Sequence, residues 1–420
     1  MITFTISVIF LLEIWILIHI SRKVEYYNPV LFFLALPIFY ANSLFLDYLV
    51  SGQGFLELET MKPTLSVHDV NYLIIVLLTF FYVLGAYTRV FMKGGRFNIL
   101  LAQKKAQILD FDAKNIYSPL KIFFIFISLA YIWLLISQIY GLGREEIKSM
   151  GTPLRVITTQ TVLFFISFSL IYKWKYRLLN TIILVTLLIY SMLSFERETI
   201  LFVLFSLIVN RPLSKLSISH ISLAVMLFAI MFYYKKVVWL IIFLINGTDI
   251  EYALNDLSEQ SLRFTHVDPA ASLLMLSDFL DNGAHFINYY GSYVVNVIAQ
   301  VLRMFIDLDW PSLGEFSTQY YTGGKMGTAF SMIIESMLNF WYFGPFIVGF
   351  AITHFFYKTE KLAGIYYKFH YLIWFIFMVK FVRTEFAVVL KLYVLPAIIA
   401  YIAFVWVSKK NRSYAGHKEC

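Results

Sequence analysis

Apolar runs of roughly 18 or more residues, the length a helix needs to cross a hydrocarbon layer, recur from one end of this 420-residue chain to the other. Inside such a layer every backbone N–H and C=O must be paired within the protein, so only helices or closed barrels span it. The runs are continuous rather than alternating, and this selects helices. Charged residues make up 14% of the chain and hydrophobic ones 60%, whereas a soluble domain carries about 25% charged residues. The expected fold class is all-α, a polytopic helical membrane protein forming a single integral membrane domain over 1–420.

Eleven spans fit the pattern, at roughly 2–20, 29–50, 70–91, 119–140, 156–172, 178–195, 199–210, 217–234, 327–355, 371–387 and 389–408. The net charge of +8 does not point to nucleic acid, because the bases cluster in short loops. Lys93, Arg96, Lys104, Lys105, Lys114 and Lys121 follow the third span, Lys173, Lys175 and Arg177 the fifth, and Arg211 and Lys215 the seventh. Lys358, Lys361 and Lys368 follow the ninth, and Lys409, Lys410, Arg412 and Lys418 fill the tail. With eleven spans all five groups fall on one side, which the positive-inside rule makes the cytoplasm. The amino terminus is then outside and the carboxyl terminus inside. The first run has no basic leader or small-residue cleavage site and carries Glu13, so it is expected to be a retained helix. Glu13 is expected to face other helices in a structural role. The single cysteine, Cys420, allows no disulfide within the chain and no thiolate metal site.

Segment 246–326 is expected to be a large, mostly helical extracytoplasmic loop. It has ten acids against three bases, a net charge of −7. Residues 270–280 and 286–306 read as amphipathic helices along the outer membrane surface. Asp309-Trp310-Pro311 and Tyr321-Thr322-Gly323-Gly324 break the pattern.

Nucleotide-binding glycine loops, zinc-protease motifs and nucleophile elbows are absent from the sequence, and its eight scattered histidines give no metal cluster. Neither a cofactor nor a metal is expected. The chemistry-bearing residues gather on the outer side. Arg144, Arg197, Arg263, Arg303 and Arg383 are candidates for holding phosphate oxygens, because an arginine fork stays charged and binds them in pairs. The competing reading is local pairing, with Glu145 or Glu146 for Arg144, Glu196 or Glu198 for Arg197, and Glu385 for Arg383. Glu335 is a lone carboxylate in the apolar stretch 327–350, four residues before Asn339 and so on one helical face with it. A carboxylate in a membrane helix is costly and marks function or a specific partner. It suits a base or an arginine anchor, against plain helix–helix hydrogen bonding. His266, with Asp268 close by, and His285 are further candidate bases.

The Gly, small-residue, Glu335, Asn339-Phe340 and Gly344 order, the Ser194-Phe195-Glu196-Arg197-Glu198 turn, and a large outer loop before the final helices resemble the Wzy-type polysaccharide repeat-unit polymerases. The sequence departs from that family where Trp341-Tyr342 is inserted after Asn339-Phe340, and where Thr384 rather than glycine follows Arg383. The resemblance implies a GT-C-like, metal-independent glycosyltransferase. It would lengthen O-antigen or capsule chains on undecaprenyl pyrophosphate at the outer leaflet of the bacterial inner membrane. The outer arginines would hold the pyrophosphate, Glu335 or His266 would take the acceptor proton, and Asn339 would support the site. Tyr289, Tyr290, Tyr293, Trp310, Tyr320 and Tyr321 would stack on sugars. The implied partners are lipid-linked glycans, the bilayer, a chain-length regulator and a flippase. An O-antigen ligase and a flippase without chemistry are the rival readings. The concentration of charge on the outer side weighs against a flippase.

The topology is tested by reporter fusions. A periplasmic reporter is expected to be active at Asp281 and a cytoplasmic one at Lys104; the opposite pair would overturn the orientation and with it the outer site.

Overall fold

A computed structural model describes residues 2–23, 29–51, 67, 69–93, 133, 185, 269–289, 291–303, 305–322, 332–359 and 384–395. The chain divides into two compact units, Met1–Leu109 with Leu262–Val394, and Asp110–Ser261 with Leu395–Cys420. Nearly all described residues belong to the first. They are helical, with no strand among them. Four stretches, Ile2–Arg22, Phe33–Val50, Asp69–Met92 and Met332–Lys358, are long and apolar enough to cross a membrane. Of the fourth to eighth expected spans only residues 133 and 185 are described, and most of the last two lies outside the described residues.

The first three helices are α1 (Ile2–Lys23), α2 (Pro29–Ser51) and α3 (Asp69–Lys93). Neighbours run antiparallel. Phe10 meets Phe45 edge-on at 5.8 Å, and Glu13 meets Asn42. Tyr72 meets the Phe45 backbone, and Tyr82 meets Phe33. Glu13 is fully buried and accepts a hydrogen bond from Asn42 Nδ2 at 2.9 Å, facing another helix as expected. Pro37 interrupts α2. Its ring nitrogen has no hydrogen to give the carbonyl four residues back, which is that of Phe33. The buried Tyr82 hydroxyl donates to that carbonyl at 3.2 Å, so α3 supplies the bond that α2 cannot make itself.

Helix α8 (Gly344–Thr359; the helices between follow below) packs along α3. A Cβ built on Gly85 would lie 2.1 Å from the Phe346 carbonyl oxygen, and one on Gly349 would lie 2.1 Å from that of Tyr82. Only glycine lets the two backbones approach so closely, as small residues do at membrane helix crossings. Further along both helices Arg89 meets His354, so α3 and α8 run parallel. Bases collect at one end of these helices: Arg22 and Lys23 close α1, Arg89 and Lys93 close α3, and Lys358 closes α8. Asp47, Asp69, Asp278 and Asp281 collect at the other, where Asn71 of α3 donates to Ser277 Oγ and Asp281 Oδ2.

The span expected over 327–355 is described from Met332 onward, as the membrane-length stretch Met332–Lys358, but it is not one straight helix. Within it lie α7 (Met332–Phe340), a 3-10 turn (Trp341–Phe343) and α8. Trp341 has φ 56°, in the left-handed region that opposes helix continuation. Eight residues of straight helix span about 12 Å, yet a Cβ on Gly344 would lie 2.0 Å from the Ser336 carbonyl oxygen. The chain therefore turns a tight corner that glycine alone fits, and Pro345 sits in the first turn of α8, where its missing N–H costs nothing. Phe340, Trp341, Tyr342 and Phe343 are exposed around the corner. Trp341 and Tyr342 are the residues by which the sequence departs from the family it resembles.

The outer segment contains α4 (Pro269–Asn282), a 3-10 helix (Gly283–Tyr289), α5 (Val295–Leu302) and α6 (Leu313–Thr322). The helix expected over 286–306 is divided by a turn in which Gly291 has φ 70°. Helix α5 has its polarity reversed: Asn296 and Gln300 are buried, whereas Val295, Ile298 and Leu302 are exposed. That arrangement suits a helix lying against lipid on one side and a polar interior on the other.

Tyr82→Phe removes the hydroxyl that donates to the Phe33 carbonyl and is expected to destabilise the fold by about 0.5–1 kcal/mol. Gly349→Leu is expected to be far worse, because it separates α3 from α8. Thermal melts of purified protein in detergent check both, and a Gly349→Leu variant as stable as wild type would remove the close crossing.

Candidate functional site

Glu335 sits at the centre of a buried polar network. It is 0% exposed, in a helix otherwise buried from Met332 to Leu338. Burying a carboxylate is tolerable only with fixed donors, and two are present. Ser292 Oγ donates to Oε1 at 3.3 Å and the Phe386 backbone N–H to Oε2 at 2.8 Å. Asn339, one turn on, faces the same way, as the spacing predicts. Its Nδ2 donates to the Glu335 carbonyl at 2.7 Å and to Ser292 Oγ at 2.9 Å, and its Oδ1 accepts from the Tyr293 N–H at 3.2 Å. The Gly291 turn delivers Ser292 and Tyr293 to this point.

A second buried carboxylate repeats the arrangement. Glu385, also 0% exposed, accepts from Asn296 Nδ2 at 2.5 Å and from the Leu313 N–H at 2.8 Å. Asn296 in turn accepts from Trp310 Nε1 at 3.2 Å. Phe386 opens α9 (Phe386–Val389), which continues as a π-helical turn (Leu390–Val394), and Leu313 opens α6. Each carboxylate therefore receives an N–H from the first turn of a helix, where four such groups lack intrahelical partners and the dipole favours negative charge.

Arg303 closes the rim. It pairs with Glu315 at 2.6 Å. Glu315 also accepts from the Ser312 N–H at 2.7 Å, while its own N–H donates to Ser312 Oγ at 3.1 Å; this is a capping box at the start of α6. Burial raises the Glu315 carboxyl, but Ser312 and Arg303 outweigh it and hold the group below its ordinary value. Burial, helped by the charges of Glu385 and Glu315, pushes the Tyr289 phenol up to about 12. Lys391, on the π-helical turn, lies within electrostatic reach of Arg303, Glu315 and Glu385.

The expected residues fare differently. Glu335 and Asn339 belong to one network, and Arg303 joins it through Glu315, Ser312 and Glu385. Arg144, Arg197, Arg263, Arg383 and His266 lie outside the described residues, as does the His285 side chain. Glu385 holds Asn296 and Leu313 in the described structure. Tyr289 is buried, edge-on to Trp310 at 5.9 Å and tilted on Phe316 at 5.3 Å, and the Tyr293 hydroxyl is buried with its ring between Phe340 and Phe386. Both are core residues rather than open sugar platforms. Tyr320 is exposed, stacked on Phe316 at 6.0 Å. Among the described residues no cluster of three His, Cys, Asp or Glu is placed to hold a metal. Sequence reasoning missed Ser292, Asn296, Lys391 and helix α6, although Ser312-x-x-Glu315 is a legible helix start.

No family model matches the chain, and neither does any curated protein or solved structure.

Because the Glu315 carboxyl is held below its ordinary value, its ionisation stabilises the fold above the ordinary carboxylate range, near pH ~4.3. That gain is lost as pH falls through the lowered folded value. Wild type is expected to melt above Glu315→Gln at neutral pH, with the gap closing as pH falls through the lowered folded value. A gap of constant size would remove the ion-pair and cap account.

Proposed function

We propose that this chain is a polymerase of the membrane glycosyltransferase class, with a GT-C-like fold of eleven spans in the bacterial inner membrane. It joins undecaprenyl-pyrophosphate-linked repeat units into O-antigen or capsular polysaccharide at the outer leaflet. The observation that carries the reading is the interlocking of Glu335 and Asn339, the residues of the Wzy-like resemblance, with the acidic outer segment through Ser292 and Tyr293. It joins a membrane corner to a rim bearing Arg303 and Lys391, where a lipid-linked diphosphate has its charge.

In the reaction, a hydroxyl oxygen of the incoming repeat unit attacks the anomeric carbon of the growing chain. The bond from that carbon to the diphosphate oxygen breaks, undecaprenyl pyrophosphate leaves with the electron pair, and the hydroxyl proton passes to a base. Arg303, with Arg144, Arg197, Arg263 and Arg383, offsets charge gathering on the leaving group. His266 takes the proton. Both Glu335 oxygens are engaged, so Glu335 acts as a positioning residue. It holds the backbone at Phe386, three residues past Arg383. A flippase supplies the substrate, and a chain-length regulator sets how long extension continues.

The test is a deletion strain whose glycolipids are resolved on silver-stained gels. Loss of the polymerase leaves surface lipid capped with one repeat unit and no ladder. Bare core lipid with long chains retained on undecaprenyl pyrophosphate would mean a ligase, and single repeats stranded on the cytoplasmic face would mean a flippase. Complementation with Glu335→Gln is expected to shorten or abolish the ladder. Arg303→Lys is expected to impair it as well as Arg303→Ala, since lysine lacks the paired fork. A full ladder in the deletion strain would sink the proposal.

A further inference from the structure

We infer that the basic end of α3 and α8 holds the phosphate of an anionic phospholipid, gripped by Arg89, His354 and Lys358. The starting observation is an arginine fixed on two sides. Arg89 Nε donates to His354 Nδ1 at 2.9 Å, and the guanidinium carbon stands 5.1 Å from the centre of the Tyr357 ring. Guanidinium has five N–H donors and no acceptor. One donor is used here, and among the described residues no acceptor is bonded to the other four. His354 accepts at Nδ1, so its proton is on Nε2, which makes the imidazole a second outward donor. Lys358 lies one turn further along α8, exposed, and its charge reaches the imidazole.

Among the described residues, none of these three groups is paired with an acid. Helix α8 contains no acid, and the only acid of α3 is Asp69, in its first turn; twenty residues of helix place it about 30 Å from Arg89. The contrast with Arg303, which is paired with Glu315, is direct. An arginine pre-oriented by a histidine and an aromatic face presents its paired donors to a phosphate without further ordering.

The flanks favour a lipid over free phosphate. Phe91 on α3 and Phe355 on α8 are exposed beside the bases, giving apolar surface for acyl chains next to donors for a headgroup. Charge polarity along the bundle puts this end at the cytoplasmic leaflet, where anionic lipids attract such groups. The site is remote from Glu335 and independent of the proposed activity.

Native mass spectrometry of the full-length protein in detergent tests the site, with phosphatidylglycerol, phosphatidylcholine and inorganic phosphate added at matched concentration. Wild type is expected to retain phosphatidylglycerol in preference to phosphatidylcholine and to ignore inorganic phosphate. Arg89→Gln and Lys358→Gln are each expected to bind phosphatidylglycerol about tenfold more weakly, the loss of one charge-assisted hydrogen bond. Arg22→Gln, which removes an exposed base at the same end of the bundle, is expected to bind as wild type does. Lys358 is exposed at a helix end, so its variant reports even if Arg89→Gln folds poorly. Undiminished retention in Lys358→Gln would overturn the site. So would equal loss in Arg22→Gln, which would mean general attraction, or competition by inorganic phosphate.

Discussion

The outer half of the described structure depends on two buried carboxylates meeting backbone N–H groups. Glu335 and Glu385 are both removed from water, where an ion without donors would cost several kcal/mol. The donors are the opening amides of α9 and α6, groups that have no intrahelical partner in any helix. Two deficits therefore cancel. The result is mechanical as well as electrostatic: α7 holds the start of α9, and the residue before α9 holds the start of α6. Asn339 and Asn296 complete the linkage through side-chain amides. Moving any one of these elements would strand a charge or an amide in an apolar surrounding.

Much of this was legible in the sequence, and what was not has physical reasons. The hydrocarbon requirement for internal pairing made the helical class readable from run length alone, and the i, i+4 spacing placed Asn339 on the Glu335 face. The corner at Trp341 was hidden because apolar run length does not report direction. Gly344 and Pro345 are helix-breaking residues, but whether the chain bends or reverses there depends on how closely Gly344 approaches Ser336. The reversed polarity of α5 was hidden for a related reason. Its periodicity fits an amphipathic helix either way round, and only the positions of Trp310 and Glu385 decide which face turns inward. Ser292 could not have been found from spacing, since its partner is 43 residues away. The local capping box at Ser312 could have been.

The close crossing of α3 and α8 plays a different part. Gly85 and Gly349 bring two backbones together where no apolar side chain could intervene. In lipid, where tails are as apolar as leucine, such contact is a main source of helix association. It fixes the early helices against a late one. The Glu335 corner stands at one end of that contact and the Arg89 cluster at the other, so a shift of the crossing would be felt in both.

Pro37 has a consequence for how the protein is made. Pro37 withholds the usual helical donor from the Phe33 carbonyl of α2, and a donor in its place arrives with Tyr82 some way into α3. A ribosome delivers α2 to the membrane first, so α2 arrives before the Tyr82 hydroxyl that bonds it. The α2–α3 pair therefore carries both the interruption at Pro37 and the side chain that makes up for it. Biogenesis has a natural checkpoint there: until α3 arrives, α2 is best kept beside water or the insertion machinery, and once α3 is alongside both can be released together.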